Sequence, residues 1–76
     1  MFKDVVRVDG KQYEVSTVDT YDAGWETIIF EQEGTWRQWY VAGYADELAA
    51  VGGHTKAIRE AAAIIAADPE GHPQPR

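Results

Sequence analysis

Any chemistry in this 76-residue chain must come from few side chains. His54 and His72 are the two imidazoles, Ser16 is the one serine, and there is no cysteine. Nucleophilic catalysis needs a nucleophile, a base and an orienting group. Ser16 lies in the alternating run QYEVSTV with no G-x-S-x-G around it. Two isolated histidines without thiolates or matched carboxylates make a poor metal site, so His54 reads as structural or as surface. Glu26, Glu31 and Glu33 are close enough in sequence for acid–base work, but they read as solvated charges on a hairpin. Gly52-Gly53 lacks the preceding strand and the following Lys-Ser or Lys-Thr of a phosphate loop. No catalytic residue, cofactor or metal is assigned, and a non-enzyme is expected.

Recognition is the chemistry that remains. The stretch GWETIIFEQEGTWRQWYVAG, residues 24–43, holds all three tryptophans together with a phenylalanine and a tyrosine. Trp and Tyr are the side chains on which protein interfaces most often depend. Stacking on nucleic-acid bases would also use them, but such platforms are surrounded by basic residues. Here the net charge is −6, and from Gln12 to Trp36 six carboxylates occur with no Lys or Arg. Direct nucleic-acid binding is therefore not expected. The carboxylates serve solubility, or they form an acidic face that meets a basic partner or imitates DNA.

The elements that must position these residues follow from periodicity. VVRV and QYEVSTV flank Asp9-Gly10, a strong hairpin signal. A two-residue turn sets Val8 opposite Lys11 and Val6 opposite Tyr13, so Val6, Val8, Tyr13 and Val15 share a face. Residues 17–24, TVDTYDAG, read as a loop into which the second strand may extend. WETIIFEQ and TWRQWYVA form a second hairpin around Glu33-Gly34. A two-residue turn there places Ile28, Phe30, Trp39 and Val41 on one face. Trp25, Ile29, Trp36 and Tyr40 fall on the other, and a slip of one residue would exchange the two sets.

Asp46 is the expected N-cap of a helix running to about residue 67, before Asp68-Pro69. Leu48, Val51, Thr55, Ile58, Ala62 and Ile65 form its apolar stripe. Gly52-Gly53 conflicts locally with helix, and an unbroken helix is the preferred reading. The tail DPEGHPQPR has the composition of a disordered segment. The fold class is α+β: two hairpins forming a four-stranded antiparallel sheet (ββββα) with one C-terminal helix on one face. Residues 1–67 make one domain, and residues 68–76 a disordered tail.

No apolar run approaches the roughly 20 residues of a membrane span. The N-terminal segment turns polar too early for a secretory signal, so a cytoplasmic protein is expected. GWETIIF (24–30) and YADELAAVGGHTKAI (44–58) resemble small phage and prophage proteins of actinobacteria. Glu26-Thr27 matches that family's Glu-Thr, and Gly53-His54 its Gly-His. The resemblance covers about residues 24–60, and the first hairpin falls outside it. It implies a phage setting and a shared fold, and no catalytic residue. Small acidic phage proteins commonly bind a host protein to inhibit or redirect it. The expected partner is therefore a host protein docked on Trp25, Ile29, Trp36 and Tyr40, with Glu31 and Glu33 at the rim. A DNA-mimic inhibitor and a self-assembling homodimer are the alternatives.

Overall fold

The computed structural model describes residues 1–22, 24–33 and 37–73. Four strands, β1 (Phe2–Val8), β2 (Lys11–Thr20), β3 (Gly24–Glu31) and β4 (Arg37–Tyr44), form an antiparallel meander. The helix α1 (Glu47–Ala67) lies across all four on one side. The fold is the expected ββββα arrangement. Beyond it, the two-residue strand β5 (His72–Pro73) pairs with Arg37 and Gln38 at the edge of β4.

The first hairpin has the expected register, with Val6 opposite Tyr13 and Val8 opposite Lys11. Asp9 and Gly10 both take positive φ, the geometry that an Asp-Gly turn supplies. The segment expected as a loop is mostly strand. β2 continues to Thr20, which pairs with Gly24, and the Thr20 hydroxyl donates to the Gly24 carbonyl at 2.5 Å.

The second expected hairpin differs in register. Residues 32–36 separate β3 from β4, where a two-residue turn was expected, and the pairing slips by one. Ile28 faces Tyr40, Ile29 faces Trp39, and Phe30 faces Gln38. Inheritance across the sheet dictates this. Paired residues on neighbouring strands share a face. Tyr13, Val15 and Thr17 point toward the helix, so their partners Glu31, Ile29 and Thr27 point there as well. Ile28 and Phe30, expected in the core, are on the other side. A bulge between Tyr40 and Ala42 inserts Val41 and restores the helix side for Ala42 and Tyr44.

The core contains Tyr13, Val15, Ile29, Trp39, Ala57, Ala61 and Ile65, with Val6, Val8, Val41, Ile58 and Ile64 packed around it. The Tyr13 and Trp39 rings meet edge to face with centroids 5.7 Å apart. Large rings rising from the sheet need small residues above them. Hence the buried face of α1 is Ala50, His54, Ala57, Ala61 and Ile65. The expected stripe is only partly on this face: Ile65 is buried and Ile58 packs against the core, whereas Leu48 is 84% exposed and Val51, Thr55 and Ala62 are exposed too.

Asp46 caps α1 by accepting from the Ala49 N–H at 2.9 Å. The helix runs unbroken through Gly52-Gly53, and the two glycines differ. A Cβ at Gly53 would overlap the Tyr44 ring, whereas one at Gly52 would meet open space. Gly53 is thus required for close approach, and Gly52 is not.

Residues 68–73, expected to be disordered, are docked. The Trp39 indole N–H donates to the Asp68 carbonyl at 2.6 Å, and β5 follows. Residues 74–76 of the expected tail lie outside the described residues. No helix among the described residues is long and apolar enough to cross a membrane.

Candidate functional site

One helix covers one face of the sheet, and the other face is open. Cross-strand pairing builds it in rows: Lys3, Ser16, Ile28 and Tyr40; Val5, Glu14, Phe30 and Gln38; Val18, Glu26 and Gly43. Tyr40 is 59% exposed and Val5 57% exposed, while Val18, Ile28 and Phe30 are half-buried. Ile28, Phe30 and Tyr40 are neighbours across β3 and β4, while Glu14 lies between Val5 and Phe30, and Glu26 between Val18 and Gly43. A depression of about 350 Å³ lies at the β1 end, lined by Met1, Lys3, Glu14, Val18 and Phe30, with Ser16 at its floor.

The structure divides the six residues expected to bind a partner. Tyr40 stands on the open face as expected. Glu33 is exposed next to the β3–β4 connection. Trp36 lies outside the described residues. Ile29 is fully buried under the helix and is unavailable to a partner. Trp25 also points to the helix side, half-buried and stacked on Phe2 at 5.7 Å. Glu31 is buried opposite Tyr13, with its carboxylate 3.8 Å from the Lys11 ammonium. The one-residue slip accounts for the corrections to Trp25 and Ile29, and it brings Ile28 and Phe30 to the open face in their place. The signal that could have found them is in the first hairpin. Once Tyr13, Val15 and Thr17 are assigned inward, adjacent-strand pairing assigns β3.

A second constellation lies beneath α1, and sequence reading missed it. Asp4 Oδ2 is 2.8 Å from His54 Nε2, and His54 Nδ1 is 2.6 Å from Thr17 Oγ1. Thr17 Oγ1 is in turn 2.5 Å from Thr27 Oγ1. Carboxylate, imidazole and hydroxyl follow in the order of a nucleophilic triad. Its chemistry is blocked by burial, since Thr17 and Thr27 are both fully buried and no reacting atom can approach them. The arrangement acts instead as a chain of satisfied hydrogen bonds. With the Nε2–H tautomer, Nε2–H donates to Asp4, Thr17 donates to Nδ1 and Thr27 donates to Thr17, so every donor has an acceptor. Among the described residues no buried side-chain polar atom lacks a partner, and no three His, Asp or Glu gather where a metal could bind.

Thr27 and His54 tie the sheet to the helix, and Gly53 admits the Tyr44 ring. Set against protein-family models, curated proteins and solved structures, the chain matches none.

Proposed function

We propose that the chain is a small acidic, non-enzymatic binding protein that docks another protein on its open sheet face. The observation that supports this is the cluster of Val18, Ile28, Phe30 and Tyr40 on the side opposite the helix, with Val5 beyond Glu14. Exposed apolar patches rimmed by polar groups mark interaction sites. Glu14 and Glu26 in the same rows, and a net charge of −6, favour a partner with apolar side chains ringed by Lys and Arg. The resemblance of residues 24–60 to phage and prophage proteins favours a host protein, inhibited or redirected in the host cytoplasm. The acidic residues do not form one continuous surface: Glu14 and Glu26 are on the open face, while Glu31 is buried beneath the helix. No observation favours the DNA-mimic alternative.

A photoreactive side chain at position 40, used in an actinobacterial lysate, tests this. It should cross-link one discrete protein, and Phe30→Thr should remove that product. The same group at the exposed Tyr21, on the β2–β3 turn, should not produce it. A product that survives Phe30→Thr, or that forms equally from position 21, would sink the reading. A cross-link between two copies of the chain would replace it with self-association.

A further inference from the structure

The two edges of the sheet are built differently. The free edge strand β1 carries Lys3, Asp4 and Arg7, and charges of this kind discourage a second strand from pairing. At the opposite edge, β4 has no charged residue after Arg37; it continues Gln38-Trp39-Tyr40-Val41-Ala42-Gly43-Tyr44. Among the described residues its outer side is paired at Arg37 and Gln38 alone, by β5. Alongside the remaining stretch, a groove of about 310 Å³ separates β4 from α1. Val41, Ala42 and Tyr44 form one wall, Ala57 and Ile64 the other, and Lys56 and Glu60 stand among the lining residues.

We propose that residues 40–44 of β4 and the adjoining groove bind an extended segment of a partner protein by strand addition. The segment continues along the edge where β5 begins, and its alternate apolar side chains enter the groove. In this mode main-chain hydrogen bonds supply affinity, and pockets for every second side chain supply specificity. β5 is the observation that selects a strand as the occupant: the chain's own residues 72–73 already use this edge in that way. The charges select its chemistry. Glu26, opposite Gly43, and Asp46 and Glu47 at the start of α1 lie toward the Tyr44 end of the edge. Three carboxylates against the one cation of Lys56 favour a basic residue at that end of the segment. A second copy is the poorer occupant, because it would bring a net charge of −6 against −6. The inference does not rest on the open-face reading, since the groove is on the helix side.

Selection of a displayed library of random ten-residue peptides against the intact protein tests the inference. Enriched peptides should alternate apolar and other residues and carry Lys or Arg at one end. Their binding should shift the amide resonances of residues 40–44 and of the α1 wall. Ala42→Leu, which fills the groove from the strand, should weaken binding at least tenfold. Glu60→Trp changes only an exposed helix position and should do the same by covering the groove. Phe30→Thr should leave peptide affinity unchanged, so failure here and failure of the open-face reading are told apart. Peptides that shift open-face resonances and lose binding with Phe30→Thr would overturn the proposal, as would enriched sequences without alternation. A concentration-dependent dimer that Glu60→Trp converts to monomer would assign the edge to a second copy and overturn it as well.

Discussion

Beneath α1 the sheet presents Thr17, Thr27 and Glu31 beside Ile29 and Trp39, whereas its other side presents Val5, Ile28, Phe30 and Tyr40 with no covering element among the described residues. The covered face is thus the one with more hydrogen-bonding side chains on its central strands. Register explains why this is tolerable. Thr17 and Thr27 are direct cross-strand partners, and His54 descends from the helix onto them, so three buried polar groups satisfy one another and Asp4 closes the chain. Buried polar groups are costly only when unpaired. Apolar residues on the open face have no such internal partner. They stand on the side that no described element packs against.

The comparison is broken most severely by removing the largest side chain of the covered face. Trp39→Ala should cost about 3–5 kcal/mol, read from urea unfolding. It should also release β5, because the indole holds Asp68, and amide exchange at His72 should rise sharply. A loss below about 1 kcal/mol would mean that the core does not depend on this ring.

The polar chain is tested next. Thr17→Val keeps the shape but leaves His54 Nδ1 without its donor, and should cost about 1–3 kcal/mol. The adjacent glycines then provide a pair with opposite signs. Gly53→Ala drives a methyl into the Tyr44 ring and should cost about 1–3 kcal/mol. Gly52→Ala meets open space in the same helix and should stabilise by up to about 1 kcal/mol. Equal responses at the two positions would remove the packing explanation of Gly53.

The open face should respond least. Tyr40→Thr replaces an exposed ring by a good strand former, and its effect on stability should stay within about 0.5 kcal/mol. If Tyr40→Thr unfolds the protein, Tyr40 is a structural residue and the contrast between the faces fails.

Much of this architecture was legible in advance because it rests on local rules. Asp9-Gly10 determined the first turn and, through it, the pairing from Val8–Lys11 to Val6–Tyr13. Asp46 capped the helix, and the helix ended before Asp68-Pro69. Tyr40 was placed correctly on the open face. The remaining misplacements have two physical sources. Treating Glu33-Gly34 as a two-residue turn slipped one register and exchanged Ile29 and Trp25 with Ile28 and Phe30. Reading the helix by the three-and-four spacing of one stripe included Leu48 and Val51, although the buried face is centred on Ala50, Ala57 and Ala61 above Tyr13 and Trp39. Asp4 and His54, fifty residues apart in sequence, leave no local pattern by which their pairing could be read.

Sequence alone did not determine that β2 continues to Thr20 or that β5 forms, but it determined that four strands precede one helix, where the first hairpin turns and where the helix begins and ends. These depend on neighbours within a few residues, through turn geometry, capping and alternation. Only the tertiary structure decided which face of β3 is buried, why Gly53 and not Gly52 must be glycine, and that residues 68–73 lie against β4. Those outcomes depend on side chains brought together from distant positions, where pairing inherited across the sheet and the volume available beneath the helix outweigh local preference.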